Sequence, residues 1–168
     1  MPRRIYIQGL SELVFPKKCL ICEEPGSNIC AHCINTIAPA PISLEVDGVQ
    51  VKAGALYSDS TAALVVLAKE ENSSDARNML VELLYIALQA AISDFDFAEY
   101  LLIPMPSSKK SNRRRGYKHS LSLTKSLLKR LLRDETNDKK FYIGDLIDIN
   151  RKKWKEGVRT EHEVSTNQ

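Results

Sequence analysis

Cys19, Cys22, Cys30 and Cys33 form two Cys-x-x-Cys pairs separated by seven residues, and the chain has no other cysteine. Each pair can make a tight turn that aims two sulfurs at one point. Two such turns complete a tetrahedron of thiolates around zinc, with no position left open for a substrate, so the metal would be structural. Lys17 and Lys18 sit beside the first ligand and can offset the negative charge of such a centre. A thioredoxin-like redox site calls for a single pair next to a βαβ unit, which two tandem pairs do not match. Disulfides are the main alternative, and they belong to oxidising compartments. The opening residues "MPRRIYIQGLSELVF" have a basic start, but Gln8, Ser11 and Glu12 interrupt the apolar run that a secretory signal needs. The most apolar segment, "MLVELLYIALQAAI", is short for a bilayer and carries Glu82 and Gln89. The expectation is a cytoplasmic chain with reduced, zinc-bound thiols. His32 lies between two ligands and can in principle replace one of them; an exposed side chain is the simpler expectation.

The second chemical feature is "KKSNRRRGYK". From Lys109 to Lys118 it holds six cations and no acid. Lys109, Lys110, Arg113, Arg114, Arg115 and Lys118 are candidate phosphate or nucleic-acid contacts, because guanidinium groups form paired hydrogen bonds to phosphate oxygens. A solvated basic loop is the competing reading. Tyr117 is the only aromatic in the run, so a series of stacked bases is not expected. No Ser-His-Asp or Cys-His arrangement is arguable, and no catalytic residue is assigned. His119 is expected to start a helix, Glu70 and Glu71 to be solvated at a helix end, and Glu161, His162 and Glu163 to lie in a polar tail.

The elements that position these groups follow from pattern. The chain has 168 residues, 43% hydrophobic and 27% charged, which suits one globular domain with a small appendage. Its net charge of +3 says little about partners; the local charge run says more. "LSELVFP" reads as an apolar turn stopped by Pro16, and "AHCINTIA" as a short helix ended by Pro39 and Pro41. Asp47-Gly48 predicts a hairpin between strands near Ile42–Val46 and Val49–Tyr57. Ser58 or Asp59 caps a helix through "TAALVVLAKE", and Ser73 or Ser74 caps a longer one through "DARNMLVELLYIALQAAIS". The centre of that helix is apolar nearly all round, which predicts packing on more than one side. "YLLIPMP" reads as a buried strand, and the basic run as the loop after it. "HSLSLTKSLLKRLLR" is an amphipathic helix with Leu121, Leu127, Leu128, Leu131 and Leu132 towards one face, and "FYIGDLIDI" is a last strand. Strand, basic loop, helix and strand in that order predict an α/β layer with parallel pairing, whose ligands sit beyond the carboxyl ends of the strands. The expected organisation is a zinc module over 1–40, an α/β domain over 41–150 and a polar tail over 151–168.

The cysteine knuckle after "LVFPKKC", the helix ending in "VLAKEE" and the block "LLIPMPSSKKSNRRRGYKHSLSLTKSLLKRL" together resemble the ComF family of competence-associated proteins, which belong with the type I phosphoribosyltransferases. The family pattern of a Pro-x-Pro strand end and an Arg-rich, Arg-Gly-aromatic turn falls on Pro104, Pro106, Arg113, Arg114, Arg115, Gly116 and Tyr117. The resemblance runs from about Leu10 to about Leu132. It implies a phosphoribosyltransferase-like α/β fold with a parallel sheet and a zinc knuckle in front. It also implies a role in the uptake or handling of transforming DNA beside a helicase-like ATPase. Two departures stand out. Lys118 replaces the Asn or Asp that often follows the aromatic residue. The phosphoribosyl pyrophosphate loop, two acids, two variable residues and Thr-Thr-Gly, is absent; "IGDLIDIN" is the nearest acidic pattern. The chain ends at Gln168, about where the family approaches that loop, so an incomplete and non-catalytic core is expected. The alternatives are an active phosphoribosyltransferase, which would also need magnesium, and a general zinc-containing nucleic-acid-binding protein.

Overall fold

A computed structural model describes residues 17–95, 97–134 and 137–144. The expected turn over "LSELVFP", the tail with Glu161, His162 and Glu163, and the last strand beyond Gly144 lie outside the described residues. The order of elements is α1 (Ala31–Ile37), β1 (Ile42–Val46), β2 (Val49–Ala53), α2 (Asp59–Glu70), α3 (Ser74–Ser93), β3 (Glu99–Leu102), α4 (Lys109–Arg115), α5 (His119–Leu131) and β4 (Lys140–Ile143). The described residues form a mixed α/β structure with two small sheets. One is the antiparallel hairpin β1–β2 and the other the parallel pair β3–β4.

Local chemistry fixes most boundaries where the sequence placed them. Asp47 and Gly48 both adopt left-handed backbone, at φ 50 and 77, and set Val46 opposite Val49. The Ser58 side chain accepts from Thr61 N, while the Thr61 hydroxyl accepts from Ser58 N, a reciprocal cap for α2. Ser73 caps α3 through Ala76 N. The second strand is shorter than expected, because the backbone after Ala53 dives against α3. A Cβ built on Gly54 would lie 1.9 Å from the Leu83 carbonyl oxygen, so only glycine allows this approach.

Two apolar clusters hold the elements together, and α3 belongs to both. Ala76 and Leu83 join Ile37, Leu64 and Ala68 in the first, with Leu20, Ile21 and Ile29 of the cysteine region packed against them. Val81 joins Leu127 and Leu131 in the second, flanked by Tyr85, Leu88, Leu102, Leu123 and Phe141. The all-round apolar centre of α3 is thus explained by burial on two sides. At the far end of α5, Arg130 lies over the Tyr85 ring at 4.2 Å and pairs with Glu82 at 3.0 Å, while the Tyr85 hydroxyl donates to Asp134.

Three expectations need correction. Among the described residues, the "YLLIPMP" strand is covered on one face only: Leu102 packs on the second cluster, whereas Leu101 and Ile103 are 58% and 50% exposed. Helices α3 and α5 cover that one side, and parallel sheets are ordinarily covered on both. The buried stripe of α5 runs through His119, Leu123, Leu127 and Leu131, each four residues on. Leu132, just past the end of the helix, is 76% exposed. The basic run is also no loop. It is helical from Lys109 to Arg115, because Ser108 caps it and Gly116 stops it at φ 74, donating to Asn112 O at 2.9 Å.

A four-cysteine centre and a basic helix

The cysteine site is built from two local structures. In the first, Leu20 to Cys22 turn tightly, Glu23 takes a left-handed conformation at φ 62, and the Glu23 N–H donates to Cys19 O at 2.9 Å. In the second, Cys30 caps α1 with its sulfur, which accepts from Cys33 N at 3.5 Å. The turn and the helix start then face each other, and the Cys30 N–H reaches Cys19 Sγ at 3.4 Å.

All four sulfurs lie within 4.8 Å of one another. Cys19 Sγ and Cys33 Sγ are 3.7 Å apart, and Cys22 Sγ and Cys30 Sγ 3.5 Å. All four thiols are free. Tetrahedral zinc with bonds of about 2.3 Å has sulfur–sulfur edges of about 3.8 Å, so the arrangement fits such an ion. Cys19 and Cys33 are buried and Cys22 exposed, which places the centre at the surface with its inner edge on the first apolar cluster. Burial pushes the Cys19 thiol up, but the N–H groups of Cys22, Cys30 and Ile21 outweigh it and hold the thiol down at about 6. Burial and the neighbouring sulfurs push the Cys33 thiol up. Thiols this close resist ionising together, and a cation at their centre reverses that by favouring every thiolate. His32 is exposed and outside the sulfur group, and Lys17 and Lys18 are exposed beside the first ligand.

The six cations of the basic run divide into two sets. Arg114 and Arg115 turn onto Glu70 at the end of α2, both at 2.9 Å. Glu70 is therefore not the freely solvated charge expected from sequence. The Arg115 hydrogen bonds lead the Arg114 and Arg115 charges in holding its carboxyl below the usual range. Lys109, Lys110, Arg113 and Lys118 are exposed and make no ion pair among the described residues. Tyr117 is half-buried, donates to Ala68 O at 2.6 Å and is no platform for bases. His119 begins α5 as expected, but it is only 3% exposed, which sequence reasoning did not foresee. The four-residue spacing His119, Leu123, Leu127, Leu131 was the available signal.

No protein-family model, curated protein or solved structure matches the chain. Among the described residues, no helix is long and apolar enough to cross a membrane.

Proposed function

We propose that the chain is a ComF-like, non-catalytic relative of the phosphoribosyltransferases, carrying a structural zinc knuckle and meeting nucleic-acid phosphates through α4. The observation that carries the reading is the exposed set Lys109, Lys110, Arg113 and Lys118, which makes no ion pair among the described residues and is presented just after a parallel strand. The four-sulfur cluster and the order β3, α4, α5, β4 agree with the ComF resemblance. When bound, zinc would supply a cross-link between the Cys19 turn and the start of α1, and no reactive position. A role in DNA uptake beside a helicase-like ATPase belongs to the same proposal, as does a cytoplasmic location.

An active transferase is the weaker reading. It would need Arg113, Arg114 and Arg115 for pyrophosphate, and Glu70 engages two of the three, Arg114 and Arg115. It would also need the absent Thr-Thr-Gly loop to hold ribose and magnesium.

Binding of short DNA duplexes across a salt series tests the proposal. Phosphate contacts ignore sequence and weaken with salt. With about three phosphates engaged, log affinity should fall against log salt with a slope of roughly −2 to −3. Changing Lys109, Lys110 and Arg113 to Ala together should flatten the slope and leave the fold intact. An unchanged slope would place the contact elsewhere, and no binding at low salt would end the nucleic-acid reading.

A further inference from the structure

The hairpin β1–β2 has one polar face and one apolar face. Its register sets Ser43 opposite Lys52 and Glu45 opposite Gln50 on the first, and Ile42 opposite Ala53, Leu44 opposite Val51 and Val46 opposite Val49 on the second. The polar face is bonded across the strands: Lys52 Nζ donates to Ser43 Oγ at 2.9 Å and Gln50 Nε2 to Glu45 Oε2 at 3.0 Å. It also meets the rest of the chain, because Lys52 pairs at 2.6 Å with Asp94 at the end of α3. The apolar face has no such cover among the described residues, where Leu44, Val46, Val49 and Val51 are 38% to 63% exposed. A hairpin of two strands is marginal in water and becomes stable when its apolar side is packed.

The size of the face limits what can cover it. Two strands of five residues make it about 17 Å by 10 Å. A stable complex between separate molecules buries about 800 Å² on each partner, several times more than this face. A segment of the same chain needs no such area, because a tether supplies effective concentrations of about millimolar. Sixteen residues precede Lys17, and fully extended they reach about 50 Å. They join the chain beside the base of the hairpin, since Leu20 and Ala55, the second residue after β2, pack on the same cluster. Their apolar residues are Ile5, Ile7, Leu10, Leu13, Val14 and Phe15 beside Tyr6, and their charges are confined to Arg3, Arg4 and Glu12. Residues 145–168 suit an uncharged face less well, because they carry ten charged side chains in 24 residues.

We propose that residues 5–15 cover the apolar face of the hairpin within the same molecule. The occupant matches the face in being apolar and nearly free of charge, and the tether makes so small a contact sufficient. This cover is separate from the phosphate contacts of α4 and does not depend on them.

Methyl NMR of the full chain tests the proposal. The methyl groups of Ile5, Ile7 and Leu10 should show NOEs to those of Leu44, Val46, Val49 and Val51, and the NOEs should persist on dilution. Ile5→Ser, Ile7→Ser and Leu10→Ser together should abolish them and shift the hairpin methyl signals. The triple variant should also quicken amide exchange in β1 and β2 about tenfold or more, since burial of even one such side chain is worth that factor. The Leu64 methyl signals and the zinc content should stay as in the wild type, which reports an intact fold. NOEs seen only between differently labelled copies and lost on dilution would give the face to a second copy, and NOEs to Trp154 or Val158 would give it to 145–168. Either result, or hairpin signals unmoved by the triple change, would overturn the proposal.

Discussion

Arg115 grips Glu70 with two nitrogens on one oxygen: Nε lies 3.2 Å and Nη2 2.9 Å from Oε1. Arg114 Nη2 adds contacts of 3.0 and 2.9 Å to the two carboxylate oxygens. The carboxylate holds two guanidinium groups in the way a phosphate would, so it competes with any phosphate that approaches α4. Glu70→Gln should release both arginines and make the salt dependence of DNA binding steeper, by about one to two units of slope. Glu70 and Arg114 are well exposed, but Arg115 is only 14% exposed, so the variant should lose a small but measurable amount of stability at neutral pH. An unchanged slope would mean that the two arginines never compete for phosphate.

The same contact gives a pH signature. Glu70 titrates lower in the folded chain than its ordinary value of 4.5, with the Arg115 hydrogen bonds as the main cause. A lowered carboxyl contributes stability that is fully present above the unfolded value and is lost as pH falls through the folded one. The stability difference between the wild type and Glu70→Gln should therefore be flat above about pH 5 and shrink towards zero in more acid solution. Denaturant melts at stepped pH would measure it. A difference that grows on acidification would contradict the assignment.

Legibility followed the range of the physics. Asp47-Gly48, Ser58 and Ser73 act within a few residues, and each was readable from the chain. The cysteine spacing was readable for the same reason, since each pair closes its own turn. Glu70 was misread because its partners lie 44 and 45 residues away. The basic segment was misread as a loop because charge dominated its appearance, although lysine and arginine are good helix formers. Leu101 and Ile103 look like core residues by composition, and only the three-dimensional arrangement of the described residues leaves them exposed. Gly54 gave no local sign at all, because the group that requires it is the carbonyl of Leu83 in another element.

Gly54 supplies a sharp test of that packing. A methyl group there would stand 1.9 Å from Leu83 O and 2.6 Å from its carbonyl carbon, both backbone atoms of a helix. Backbone cannot swing aside as a side chain can. Gly54→Ala should cost at least about 1–3 kcal/mol, or several degrees of melting temperature in a chain of this size. Gly26→Ala gives a useful comparison, since its added Cβ would meet nothing within 4 Å although its φ of 127 is strained. Equal or smaller loss at Gly54 would show that β2 does not press on α3.

Metal removal should reach beyond the cysteine region. Ile37 of α1 is buried with Leu64, Ala68, Ala76 and Leu83, and Leu20, Ile21 and Ile29 pack on the same cluster. Elemental analysis of the purified chain should find about one zinc per molecule. Cys30→Ser removes a ligand and the sulfur that caps α1. The binding energy of a structural metal is folding energy, so this variant should lose zinc and disorder the turn and α1. Ile37 would then leave the cluster. A buried Ile lost to Ala costs about 2–5 kcal/mol, and releasing it should lower the melting temperature of α2 and α3 as well. The two regions should melt together in the wild type and apart in the variant, as followed by hydrogen exchange at Leu64 and at Ile37. Metal-free protein with two disulfides, or exchange at Leu64 untouched by Cys30→Ser, would separate the cysteine centre from the core it adjoins.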